Sequence, residues 1–296
     1  MIEPEAALVA IRFAGNLAAL LLWGASCFVS LLVPAPLRDR VWEEIRIWRF
    51  GSLLTIAAAA LLALPVSAAL VGGRWLDAAD PSVLAAVALE TSAGTAWLWQ
   101  AASAFLLLVA SLVLPAKLRL PLTALFSAGL LLPLTLTGHA VMQAGAALVL
   151  HQANDLLHVL AGGFWIGALV PVLALLRHLA TPETHDGARV ALSRFSLVGH
   201  GAVALVLVSG LVNTVLILGR LPTDWSIPYQ RLLSAKIVVV VMMITAALFN
   251  RYYLVPRLGR SVSAARALTA GTIFELVGAT VVVGLVAWFG TLDPLP

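Results

Sequence analysis

The chain has 296 residues, 61% of them apolar and only 11% charged, with a mean hydropathy of +1.02, whereas a soluble globular chain is about half apolar and about a quarter charged. Backbone groups in lipid need internal partners, so only helices or a closed barrel can span a bilayer, and the apolar blocks here are continuous rather than alternating, which excludes the barrel. The formal charge of +4 does not point to nucleic acid, because the arginines sit between apolar blocks and no basic stretch is interleaved with aromatics.

A helical crossing takes about 20 mostly apolar residues, and eight are predicted, at about 7–33, 50–71, 96–114, 121–137, 148–176, 193–218, 231–254 and 267–290. The opening MIEPEAALVAIRF lacks a basic region and a cleavage-site pattern, so the first block reads as a retained helix rather than a secretory signal. Pro34 and Pro36 close it, and the lone Cys27 within it leaves no intrachain disulfide. Gly72 and Gly73 end the second helix. Residues 76–95 are partly apolar but flanked by Asp77, Asp80 and Glu90, which suggests an interfacial or half-inserted helix. Pro115 closes the third helix and Pro121 opens the fourth. The remaining connections are too short for a separate catalytic module. The expectation is a single transmembrane domain over 1–296, an all-α polytopic bundle of eight transmembrane helices.

Orientation follows from the basic residues. Connections 1–2, 3–4, 5–6 and 7–8, with adjoining helix ends, hold 13 of the 18 Lys and Arg. Positive charge stays on the cytoplasmic side, so both termini are expected outside and the odd-numbered connections in the cytoplasm. Most tryptophans, among them Trp42, Trp75, Trp97, Trp225 and Trp288, fall near helix ends, where they anchor at the interface.

Ionisable groups inside spans are costly and usually face a bundle interior or cavity. The densest group surrounds the fifth helix: His139 and Met142 just before it, then His151, Asn154, Asp155 and His158 in HQANDLLHVLAGGFW. Spacings of four and three put His151, Asp155 and His158 on one helical face. His151 and His158 are about 10 Å apart along the axis, too far to share one small ion on an unbroken helix. Imidazole with thioether suits copper better than magnesium or calcium, and a carboxylate beside a liganding histidine commonly holds its other nitrogen, a role open to Asp155. Metal binding, hydrogen bonding between helices, haem ligation and proton transfer all fit the spacing.

Asn213, Lys236 and Glu275 are further buried-span polar residues, expected to pair across the bundle or to line an ion path. Lys236 can also snorkel to the surface. His200, between Gly199 and Gly201, is expected to pack in the core. His178 and His185, beside Glu183 and Asp186, are expected to be solvent-exposed. Met242 and Met243 read as packing, as does Cys27. Gly162, Gly163 and Gly167 around Trp165 permit close helix contact. No GxxxxGK[ST] loop, DKTG-like motif, GxGxxG after a strand or HExxH is present. The chain is therefore not expected to hydrolyse ATP, and any transport it performs must run down a gradient, be coupled to an ion or draw on a partner.

These segments together resemble the CopD-type copper resistance membrane proteins. The resemblance is carried by TGHA (137–140), DLLHVLAGGFWIGAL (155–169), RFSLVG (194–199), SGLVN (209–213), YQRLLSAK (229–236), FNRYYLVPRL (249–258), Glu275 and GTLDPLP (290–296). It covers most of the chain and is strongest over 137–296. It implies a bacterial inner-membrane protein of copper homeostasis that moves copper ions across the membrane, often with a small periplasmic copper-binding partner of the CopC type. His139, Asp155 and His158 fall on the family's recurrent positions, while His151 and Met142 match it less closely. A fused CopC-like domain and a Met- or His-rich loop are missing, so copper is expected to arrive from a separate protein. The resulting expectation is that His139 and His151, with Met142, receive copper near the periplasm and pass it to His158, oriented by Asp155. Two rival readings are a haem- or copper-containing membrane redox protein using His151, His158 or His200, and a non-transporting copper-binding subunit or sensor. Oligomeric state is not readable from the sequence.

Overall fold

The computed structural model describes residues 3–137, 144–257 and 262–295, which are helical almost throughout. Helix α1 (Pro4–Leu31) opens on a proline, whose missing N–H costs nothing in a first turn. Pro34 precedes α2 (Ala35–Glu44), a short polar helix within what hydropathy alone reads as a plain connection. Helix α3 (Arg46–Gly72) ends on Gly73, whose φ of 81° is a left-handed conformation glycine adopts without strain. A 3₁₀ turn (Trp75–Ala79) leads to α4 (Pro81–Glu90). The Asp80 side chain caps α4 by accepting from the Ser82 backbone N–H at 2.8 Å. The ten residues of α4 reach about 15 Å, half of a hydrocarbon core of about 30 Å, so the 76–95 segment does not cross. It packs against α3 and α5 instead.

Helix α5 (Ser92–Leu112) is capped by Thr91 Oγ1, which accepts from the Gly94 N–H at 2.9 Å. Helix α6 (Ala116–Leu131) tightens into a 3₁₀ turn (Leu132–Leu136) at Pro133. Then come α7 (Gly145–His178) and α8 (Pro182–Leu218), the latter closed by left-handed Gly219. Helix α8 starts at Pro182 rather than near residue 193, because PETHDGARVAL is helical but too polar to register as a span. Helix α9 (Pro228–Phe249) runs on through a π turn (Asn250–Leu254) and a 3₁₀ turn (Val255–Arg257), and α10 (Val262–Phe289) follows.

Among the described residues, eight helices are long and apolar enough to cross a membrane: α1, α3 and α5 to α10, with α6 and α9 counted together with the turns that extend them. Alternating passage gives the bundle a terminal end, with Pro4, Phe289, α4, the start of α7 and the α8–α9 connection, and an opposite end carrying α2. Helix α7 is central: 67% of its most apolar stretch is buried, against 39% or less in every other span. Helices α1, α8 and α10 pack around it. Glycine makes the α1 contact possible, since a Cβ on Gly24 would collide with the Gly163 carbonyl and one on Gly167 would come within 2.6 Å of the Leu20 carbonyl. Trp23 Nε1 donates to the Leu160 carbonyl at 2.9 Å and fixes the register. On the outside, Leu61, Phe105, Val208 and Trp288 are exposed, an apolar surface suited to lipid rather than water.

Candidate functional site

The polar groups of α7 meet α8 near the terminal end, with Tyr229 and Lys236 of α9 within electrostatic reach. Asn154 Nδ2 donates to the Ser209 carbonyl at 2.9 Å and to Asn213 Oδ1 at 2.7 Å. Asn213 Nδ2 donates to Asp155 Oδ1 at 3.0 Å. Lys236 of α9 lies within electrostatic reach of Asp155 and His158 without direct contact, and Asp155 also feels His151 and Tyr229. A carboxylate and an ammonium are thus half-buried neighbours, where either alone would be costly.

His158 is held by Ser209 rather than by Asp155: its Nδ1 lies 2.9 Å from Ser209 Oγ. The Ser209 hydroxyl already donates to the Leu205 carbonyl at 2.5 Å. A ring whose Nδ1 donates keeps its lone pair at Nε2, the atom a metal would bind, and the Val206 backbone carbonyl also bonds this ring. Gly210 gives the ring room, since a Cβ there would sit 3.2 Å from His158 Cε1. His151 is 1% exposed and its Nδ1 has no hydrogen-bond partner among the described residues, an unusual state for a buried polar atom. Among the described residues, no three His, Cys, Asp or Glu side chains are grouped to hold a metal ion. His139 and Met142 lie outside the described residues.

Glu275 belongs to a different place. It is buried in α10, accepts from Asn250 Nδ2 at 2.9 Å and is also bonded by Trp165. It does not pair with Lys236 or Asn213. Asn250 was missed in the sequence reading although it stands in FNRYYLVPRL; a single Asn in a span was the available signal. His200 does not pack in the core: it is exposed on α8, its rings nitrogens meeting the Ser196 carbonyl at 2.5 Å and Tyr252 Oη at 3.1 Å. His178 is not solvent-exposed. It is buried against Glu44 Oε1 at 2.9 Å and Thr184 Oγ1 at 3.1 Å, tying α7 to α2. His185 is half-buried, with Nδ1 2.7 Å from the Leu179 carbonyl. Met243 packs in the core beneath Gly278, while Met242 faces outward. Outside the spans, hydrogen bonds from Ser226 hold the Asp224 carboxyl below its ordinary range, and Ser82 does the same for Asp80. Both carboxylates order turns.

Residues 1–149 match the family described as copper resistance protein D-like, N-terminal domain, and residues 189–289 match copper resistance protein D. Copper resistance protein D of Pseudomonas syringae pv. tomato is 33% identical over 259 residues, covering 82% of this chain and 81% of that protein. The chain belongs to the copper resistance protein D family. Inner membrane protein YebZ of Escherichia coli (strain K12) is 33% identical over 294 residues, covering 97% of this chain and 98% of that protein. With its eight candidate spans, this family member is a multi-pass inner-membrane protein. The solved structure of bd oxidase from Geobacillus thermodenitrificans shares the fold, with a TM-score of 0.52 at 13% identity over 98% of this chain and 87% of that one.

Proposed function

We propose that this protein takes a copper ion from the periplasm at the terminal end of the bundle and moves it across the inner membrane. His151, with His139 and Met142, receives the ion, and His158 Nε2 accepts it next in the cleft between α7, α8 and α9. In this scheme Asp155 supplies negative charge for the cation rather than orienting His158, since Ser209 has that task. Lys236 is the resident positive charge that an entering cation must work against. The observation that carries the proposal is His151, which places a ring nitrogen without a partner among the described residues inside the bundle of a copper resistance protein D family member. Desolvated and unpaired, such a nitrogen gains more from a ligand than one already bonded.

The direction rests on the basic residues: with 12 of the 17 described Lys and Arg at the α2 end, that end faces the cytoplasm and both termini are periplasmic. The 296 residues act as one transmembrane unit, because α7 packs on helices from both family-matched segments. A small periplasmic copper-binding protein of the CopC type is the donor. Copper uptake into proteoliposomes, paired with metal analysis of the purified protein, tests the scheme. His158→Ala is expected to lose uptake while the protein stays folded, and His151→Ala to lose uptake and to bind copper more weakly. Normal binding and uptake in both variants would refute it. Binding without uptake in the unaltered protein would make it a copper-binding subunit or sensor.

A further inference from the structure

A cavity of about 1610 Å³ occupies the α2 end between α7, α8, α9 and α10, away from the His151–His158 cleft. It exceeds the roughly 300–1,000 Å³ of an ordinary small-molecule site. Along α7 its wall runs from Trp165 to Arg177, about 18 Å of helix, close to one leaflet of a hydrocarbon core about 30 Å thick. Helices α8 and α9 flank it without packing closely on each other. The deep wall is apolar, with Leu169, Val172 and Ile244. Its mouth carries Arg177, Arg189, Arg251 and Arg266, and none of these four forms an ion pair among the described residues. The carboxylates on the lining are Asp186 at the mouth and Glu275 at the floor, the latter already bonded by Asn250.

We infer that this cavity binds one anionic phospholipid, its headgroup at the four arginines and an acyl chain along the apolar wall. Four guanidinium groups against one rim carboxylate repel a free cation, so the cavity is not a continuation of the metal cleft. An uncharged apolar ligand would leave the arginines without purpose, and a free anion would leave the leaflet-long apolar wall unfilled. Basic pockets between spans on the cytoplasmic side are suited to anionic headgroups.

Native mass spectrometry of the full chain in detergent tests this, titrating with phosphatidylglycerol, phosphatidylcholine or inorganic phosphate. One phosphatidylglycerol is expected to bind in preference to the other two. Replacing Arg189 or Arg266 by glutamine should weaken it about fivefold per arginine, while Lys117→Gln, at the same end but off the cavity lining, leaves it unchanged. Ala247→Trp, which projects a large ring into the cavity and keeps every charge, should also weaken retention. Equal retention of phosphatidylcholine, equal binding of phosphate alone, or phosphatidylglycerol binding unmoved by the arginine and tryptophan variants would overturn the assignment.

Discussion

Asn213 accepts from Asn154 and donates to Asp155 through the two ends of one amide. Replacing it strips two half-buried neighbours at once, so Asn213→Ala is expected to lower stability by about 1–3 kcal/mol, read as a reduced Tm in detergent; an unchanged Tm would show the network to be idle. Asp155 and Lys236 are coupled through space, and leaving one charge unopposed should cost more than removing both. Lys236→Met alone should therefore be less stable than Asp155→Asn with Lys236→Met, with a coupling of about 0.5–3 kcal/mol in a double-mutant cycle. Strict additivity would mean that the two charges ignore each other. At this scale the spacing of His151, Asp155 and His158 already revealed a shared polar face. Their partners were not legible, because Ser209 and Asn213 are 51 and 58 residues further on than His158 and Asp155, and a serine in a span carries no signal of its own. For the same reason the Glu275–Asn250 pair was invisible until α9 and α10 were placed side by side.

The α1–α7 contact is a close helix crossing in the bundle's centre, built where Gly24 meets Gly163 and Gly167. A methyl group there has nowhere to go, so Gly24→Ala should destabilise by about 1–3 kcal/mol through overpacking. Gly201→Ala, on α8 with nothing within 4 Å of a new Cβ, should be neutral or raise stability by up to about 1 kcal/mol from helix propensity. Thermal unfolding of the two variants side by side checks the contrast, and equal effects would mean that the contact does not hold α1 in place. The spans themselves were readable because about 20 apolar residues in a row have few alternatives in a bilayer. Helix α2 and the first turns of α8 were not, since hydropathy measures burial in lipid rather than helicity. His178 shows the same blind spot: set among charged neighbours it looked solvated, yet α2 folds back to cover it.

Across the whole molecule, the two family-matched segments end at residue 149 and resume at residue 189. The central helix with its histidine face lies mostly between them. The proposed orientation is checked by replacing Cys27 with alanine and introducing Ser226→Cys or Thr181→Cys. An impermeant maleimide should label the former in intact cells and the latter only after lysis, and the reverse pattern would turn the bundle over. The most direct test of copper passing through the α7–α8–α9 cleft is X-ray absorption at the copper edge on the purified, copper-loaded protein. Imidazole scattering is expected, reduced in His151→Ala and again in His158→Ala; a copper signal without imidazole, or one identical in all three proteins, would contradict the account.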